Sequence, residues 1–530
     1  MNRWLVCCVL SICSFASACG GGNSVTPQPN PNPQTNYSLA SVNGNYTFSM
    51  SGTDGNGFSI ARIGSFHADG NGNITMGIED VNDGGSVTTF DFTAGPTSNY
   101  TMKADGKGTL TLSHPDPANS SVAVNLQFTM VLSSASGGIL VETDGFSTMS
   151  GNFQLQTISS AFAQAYAFDV SGVDLTNGTS ASYIGQFNTN GVSGVTGGSM
   201  DINNGASASG QLTIQPGTMT TDATNFANFG RGQLTLNTND NSQVLALTYT
   251  FYVVDANHIQ LLETDSTAAT VGTAIAQSNP PATLAAFPGN FVFAVGGGVF
   301  NQGLFGPVVR GAKFTADANG TITNLGLDQN YSGGPNAFPK AGGLTNVNYM
   351  IDAGGSGRGT LDFTDSTSNT IFHFIFYMAS ASRGFIQDNT ANTVADGSIY
   401  AQAGPFSNGS LAGTFAVSWS GSNLTNGFEE DFAGVFPLAN KAANNITGGS
   451  VDFTELGDGK IFFDVPLNGS LVLQGDGTMG GAQGNALQLT TVQAVSTTFN
   501  FRAYIIDNDN LLLIGVDNGR VVIGTAQFQK

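Results

Sequence analysis

An all-β chain of four tandem antiparallel meander domains is what this sequence predicts, and three observations predict it. A set of landmark residues recurs four times along the 530 positions. Within each copy apolar side chains alternate with period two rather than 3.6. Breaks rich in Gly, Asn and Asp, such as Asp69-Gly70-Asn71-Gly72, Asn82-Asp83-Gly84-Gly85 and Asp105-Gly106, punctuate the alternation as hairpin turns do.

The repeat is anchored on a Gly-x-x-x-x-Gln element at Gly151 to Gln156, Gly272 to Gln277, Gly397 to Gln402 and Gly524 to Gln529, spaced by 121, 125 and 127 residues. Each copy opens on an aromatic or apolar pair followed four residues later by glycine: Tyr46-Phe48-Gly52, Tyr166-Phe168-Gly172, Phe291-Phe293-Gly297 and Phe415-Val417-Gly421. Further landmarks are Phe66, Phe187, Phe314 and Phe436, then Asp80, Asp201, Asp328 and Asp452. Last come Gly108-Thr109-Leu110, Gly232-Gln233-Leu234, Gly359-Thr360-Leu361 and Gly477-Thr478-Met479. Asn279-Pro280-Pro281 and Gly404-Pro405 mark linkers. The domains are therefore placed at 43–157, 158–279, 283–402 and 408–530.

The clearest strand puts Val122, Val124, Leu126, Phe128, Met130 and Leu132 on one face. It returns as Leu245, Leu247, Tyr249, Phe251, as Phe372, Phe374, Phe376, Met378, and as Phe499, Phe501, Ala503, Ile505. Eight or nine such strands per copy fit an up-and-down barrel, because closure removes the free edges of an open meander. A Greek-key sandwich is the alternative with the same strand count. Gly44-Asn45-Tyr46 loosely resembles the opening of calycin-like barrels.

Ahead of the repeats, Arg3, the apolar stretch Trp4 to Phe15 and Ala16-Ser17-Ala18 before Cys19 form a signal peptide over residues 1–18, too short to span a bilayer as a helix. It resembles bacterial lipoprotein signal peptides, although Ala16 stands where Leu is usual. The resemblance implies cleavage before Cys19, lipidation of that cysteine, and anchoring by the lipid, with Gly20 suggesting the outer membrane. Ordinary cleavage after Ala18, with simple secretion, is the other reading. Gly20-Gly21-Gly22 and the Pro-rich run Pro27 to Pro33 make residues 19–42 a tether.

Charge and cysteine content narrow the functions. Lys plus Arg total 15 against 36 Asp plus Glu, which repels nucleic acid and anionic lipid. Three of the four cysteines, Cys7, Cys8 and Cys13, lie in the signal peptide, so the mature body holds no disulfide and rests on buried apolar surface. No metal, phosphate-loop or nucleophile motif occurs, and His67, His114, His258 and His373 occupy no equivalent places. The acid pairs Glu142/Asp144 and Glu263/Asp265 are at the spacing of glycosidase carboxylates, but Gln387 and Asn389 are read at those places in the third copy, which leaves a solvated or turn-capping role. Asp69-Gly70-Asn71-Gly72-Asn73 imitates a calcium loop, but Ile74 stands where glycine is needed, and a hairpin turn is the reading. The recurrent Asp80, Asp201, Asp328 and Asp452 are expected to receive backbone N–H bonds at the barrel ends. The mature chain keeps one tryptophan, Trp419, and its aromatics are mostly phenylalanines, of which the full chain has 38, read as core material, which argues against a sugar platform.

These observations point to a non-enzymatic, cofactor-free envelope lipoprotein, at the periplasmic or cell-surface side, that binds or adheres. Its partners are the membrane through the lipid anchor and a protein or polysaccharide that the sequence does not name. A carrier of a small apolar ligand inside the barrels is the alternative, and a secreted hydrolase a distant third. No catalytic or metal residue is assigned.

Overall fold

The computed structural model describes residues 36–530, apart from 94, 117–118, 161, 163, 192–193, 206–209, 241–242, 302–303, 341–342, 405, 407–410, 439–444, 457–458, 474–483 and 493–496. The signal peptide, Cys19 and most of the tether lie outside the described residues. The expected all-β meanders are present in four copies, and within each copy the pairing is antiparallel and, apart from two split strands, between neighbours in sequence, as in up-and-down barrels rather than sandwiches. Two sheets, built from Ala165–Asp174 to Ala268–Ala276 and from Gly413–Asn423 to Arg520–Phe528, are closed eight-stranded barrels. In the first and third copies the fourth strand is split, into Ser86–Phe92 and Gly95–Tyr100, and into Gly334–Phe338 and Leu344–Ile351. The first copy still closes through the pairing of Ser59–Asp69 with Asn73–Asp83, while in the third a bridge from Thr321 to Asn348 spans the gap.

Why these strands close is visible at the conserved-looking glycines of each copy. Strand one pairs with the last strand so that Gly52 faces Met149 and Gly151 faces Met50. A Cβ on Gly151 would lie 1.9 Å from the Ser49 carbonyl oxygen, and on Gly272, Gly397 or Gly524 about as close to Asp169, Ala294 or Ser418. The two strands coil around each other too tightly for a side chain there, which is a close backbone approach that glycine alone allows. The alternation then sends one face inward. Phe48, Phe66, Phe128 and Phe153 fill the first barrel, and Phe372, Phe374, Phe376 and Met378 are fully buried in the third. Trp419 is likewise core, stacked on Phe432 at 4.7 Å.

Sheet register corrects two alignments made from sequence. In the fourth copy Leu487 faces Phe501 as Leu110 faces Phe128, so Asn485-Ala486-Leu487 occupies the place assigned to Gly477-Thr478-Met479, which lies outside the described residues. In the third copy Ile386 faces Gly397 as Leu140 faces Gly151, so Asp388, not Gln387, is the counterpart of Glu142 and Glu263. A single inserted or deleted loop residue shifts a period-two pattern without erasing it, and only pairing reveals the slip.

The four barrels close into a ring. Outward-facing Ala61, Ile63 and Ile78 of the first pack on Phe229, Tyr252, Leu262 and Val271 of the second. Ala167 and Ile184 of the second meet Ile375, Tyr377, Ala379 and Phe385 of the third. Val292, Ala294, Val309 and Tyr400 of the third meet Tyr504, Ile514 and Ile523 of the fourth. Ala416, Ala433 and Val435 of the fourth return to Val131, Ile139 and Val141 of the first. Each barrel thus lays its first strands on the last strands of the next, a head-to-tail arrangement whose rotation closes after four copies.

Candidate functional site

The recurrent aspartates are the pins of this ring, and of the four Asp452 also accepts a backbone N–H within its own barrel, from Asp464 at 2.6 Å. Asp80 accepts a bidentate pair from Arg231 Nε and Nη2, both at 2.8 Å, and a 2.7 Å bond from the Tyr252 hydroxyl, all from the next barrel. Asp201 accepts from Arg358 Nε and Nη2 at 2.7 and 2.9 Å and from Tyr377 at 2.7 Å. Asp328 accepts from Tyr504 and the Gly484 amide at 2.7 Å each. Asp452 closes the circle on the first barrel, accepting from Lys107 Nζ at 2.5 Å and Thr129 at 2.8 Å. The donor is the residue just before the Gly-x-Leu landmark in three copies, and its counterpart Gly484 donates from the backbone in the other. Two residues past the aspartate, Asn82, Asn203 and Asn330 each donate to carbonyls of the next barrel. The Gln of Gly-x-x-x-x-Gln does the same at the other end of the seam. Gln156 binds the Phe229 and Val253 oxygens, Gln277 those of Ser356 and Met378, Gln402 that of Ile505, and Gln529 those of Asp105 and Leu132.

Charge also sits inside the barrels, where apolar filling alone was expected. Glu142 points inward and is fully buried, so it is neither solvated nor a turn cap, whereas Asp144 does cap its loop through the Phe146 amide at 2.9 Å. Arg62 lies between Glu79, at 3.1 Å, and Glu142, at 3.9 Å. One cation cannot neutralise two buried carboxylates, and burial pushes Glu79 up to about 7 and Glu142 up to about 8. In the third barrel Arg310 pairs with Asp388. In the second Glu263 is bonded by Thr270, and in the fourth Arg520 reaches Glu430 at 2.6 Å, with burial raising Glu430 to about 7. Asp169 and Asp396 face each other between the second and third barrels, and burial raises both, each next to the other's carboxyl. Because these groups bind protons more tightly folded than unfolded, their stabilisation is complete below about pH 4 and is lost as pH rises through 7 to 8. Asp69, held down to about 2, and Asp464, held below its usual range by Lys103 and Lys107, act oppositely at the acid end. Thermal stability is therefore expected to rise as pH is lowered from about 8 to about 5 and to turn over near 4. A melting temperature flat across that range would contradict it.

The remaining expected features resolve simply. The calcium-like loop is an Asx turn in which Asp69 accepts from the Asn71 and Asn73 amides at 2.7 and 3.0 Å. His373, on the outer face, pairs with Asp362 at 2.5 Å, which raises it. Among the described residues no group of three or more His, Cys, Asp or Glu is placed to hold a metal ion, and no helix is long and apolar enough to cross a membrane. A polar groove of about 500 Å³ opens between the second and third barrels, lined by Gln186, Ser199, Gln211, Asp352 and Ser356.

The ring has two unlike faces. Gln156, past the last strand of the first barrel, meets Val253 near the end of its strand, and Asn82, at the far end, meets the Glu263–Ala268 hairpin, so the barrels stand side by side in one orientation. All three connections between barrels, and the chain entering from the tether at Ser41 and Val42, consequently lie on one face. The opposite face carries hairpin tips with exposed apolar side chains: Phe58, Phe146, Ile371 and Phe428.

No protein-family model matches this chain, and no curated protein matches it. Among solved structures it is similar to a double mutant of the vaccine antigen transferrin binding protein B from Haemophilus parasuis, at 9% identity over 74% of this chain and 81% of that one, with a TM-score of 0.16. A single mutant of the same antigen gives 13% identity, 67% and 75% coverage, and again 0.16. The sequence reading missed the ring itself, although Arg231, Arg358 and Lys107 stood in phase with the aspartates they bind.

Proposed function

We propose that this chain is a non-enzymatic, envelope-anchored lipoprotein that displays the loop face of a four-barrel ring to a binding partner. The observation that carries the reading is the sidedness of the ring. The tether and every inter-barrel connection share one face, which also exposes Met350 and Val472, and the exposed phenylalanines Phe58, Phe146 and Phe428 share the other, with Phe146 69% and Ile371 65% exposed. An anchor at Cys19 turns the connecting face toward the bilayer and leaves the hairpins outermost. Scattered exposed apolar residues are ordinary on a protein surface, but aromatic ones gathered on loops held by a rigid scaffold are the usual arrangement of a binding face. The acidic body favours a protein or polysaccharide over any polyanion. Carriage of an apolar ligand is less well supported, because the inward positions are occupied by buried Phe, Leu and Met.

Two measurements test this. Cys19→Ala is expected to move the protein from the membrane fraction to the soluble fraction, since stable anchoring needs two or more acyl chains; unchanged retention refutes the anchor. Replacing Phe58, Phe146, Ile371 and Phe428 together by Ser is expected to leave the melting temperature nearly unchanged while removing the adduct formed by chemical crosslinking on intact cells. An unaltered adduct refutes the loop face as the binding surface.

A further inference from the structure

We propose that the ring is a clamp whose gate is the seam between the fourth and first barrels. The four seams are built from equivalent positions, so they can be compared residue by residue. At the position where Tyr252, Tyr377 and Tyr504 bind the pinning aspartate in three seams, the first barrel has Val131, and what Asp452 takes from the first barrel is the shorter Thr129 hydroxyl and a lysine, besides the Asp464 amide of its own barrel. Lysine is a flexible point charge and cannot make the two-pronged contact that Arg231 and Arg358 make. Where Asn82, Asn203 and Asn330 reach across to backbone carbonyls, the fourth barrel has Thr454, whose buried hydroxyl finds no partner. The apolar layer is made only of Val, Ile and Ala, with no aromatic side chain, in contrast to Phe229 and Tyr252, Tyr377 and Phe385, and Tyr400 and Tyr504 elsewhere. No linker crosses this seam, where Gln529 and Lys530 reach over to the first barrel instead, the Lys530 amide donating to the Ser133 oxygen at 2.8 Å.

Besides the Gln529 bonds to Asp105 and Leu132 and the Thr53 bond to Glu429, this seam adds ionic contacts. Lys107 and Lys103 bridge Asp452 and Asp464, the outer pair Lys103 and Asp464 being 55% exposed on each side and open to screening by salt. Asp431 is buried in the seam. Ser420 of its own barrel and Ser150 of the first barrel face it. The charged groups on the surrounding strands are engaged elsewhere: Glu429 by Thr53, Glu430 by Arg520, Asp452 by Lys107, while Arg62 and Glu142 turn into the first barrel. Burial raises Asp431 to about 7, so this seam gains charge as pH rises, as the second-to-third seam does through Asp169 and Asp396.

The test uses the full chain with Cys19→Ser and pairs of spin labels on exposed hairpin sites. Val122→Cys with Val492→Cys spans the gate, and Val122→Cys with Leu245→Cys spans the first-to-second seam. Distance distributions from pulsed electron paramagnetic resonance are expected to show one narrow population for both pairs near pH 6. Near pH 9, and in high salt, the gate pair is expected to gain a longer population, increased several-fold, and the first-to-second pair is not. A disulfide between Thr53→Cys and Glu429→Cys, whose native side chains are 2.6 Å apart, is expected to abolish it, and Asp431→Asn to remove its pH dependence but not its salt dependence. No second population under any condition, or equal broadening of both pairs, overturns the gate; an unchanged pH response in Asp431→Asn overturns the role of the carboxyl.

Discussion

Replacing Asp201 by Ala is expected to cost about 3 to 5 kcal/mol, the range for removing one partner of a buried ion pair. The carboxylate is fully buried and holds two nitrogens of Arg358 and the hydroxyl of Tyr377, which is itself buried. Without it the guanidinium keeps only Asp352, at 3.0 Å on another nitrogen, and the phenol keeps only a distant contact to Ser199. The loss comes from uncompensated polar groups in a dry seam rather than from the net worth of the pair. Asp201→Asn retains a hydrogen-bond acceptor and is expected to be milder. Denaturant unfolding of the two variants checks this, and a loss below about 1 kcal/mol for Asp201→Ala would show that the seam is hydrated or dispensable.

Phe374→Ala is expected to cost a similar about 3 to 5 kcal/mol, for a different reason. Phe374 is fully buried, 5.0 Å from Phe293 and 6.1 Å from Phe363 between ring centroids, with Phe372 and Phe376 on the same inward face. An eight-stranded barrel is just wide enough for such side chains to fill. Truncation therefore opens a cavity in a packed interior instead of enlarging an existing one. Calorimetry of the variant measures the cost, and titration of the unaltered chain with an apolar fluorescent probe measures the space. Stoichiometric probe binding by the unaltered chain, with a small loss in Phe374→Ala, would return the protein to the carrier reading.

The two substitutions divide the stability of the molecule into barrel and seam. Barrel packing was legible in the sequence because it is periodic: alternate positions must face one way, so Phe372, Phe374, Phe376 and Met378 announce a buried face wherever they occur. The seam was half legible. Its aspartates, asparagines and glutamines recur in phase, but a buried polar residue reads identically whether its partner lies in its own barrel or the next, and Asp80 was assigned to the wrong one. Period-two patterns also conceal slips, which is why Gln387 and Asn389 stood in for Asp388 and why Gly477-Thr478-Met479 stood in for Asn485-Ala486-Leu487.

By itself, then, the sequence determined the class, the copy number and the inward faces, because these follow from local alternation and from repetition within one chain. Tertiary structure alone decided that the four barrels close into a ring, that Arg231, Arg358 and Lys107 leave their own barrels to bind the preceding copy's aspartate, and that Glu142 and Arg62 share one interior. Those outcomes depend on which outer faces meet and on the angle through which each barrel turns to reach the next. That angle is summed over the coiling of eight strands and the close approach at Gly151, Gly272, Gly397 and Gly524, and no residue pattern along a single strand encodes it.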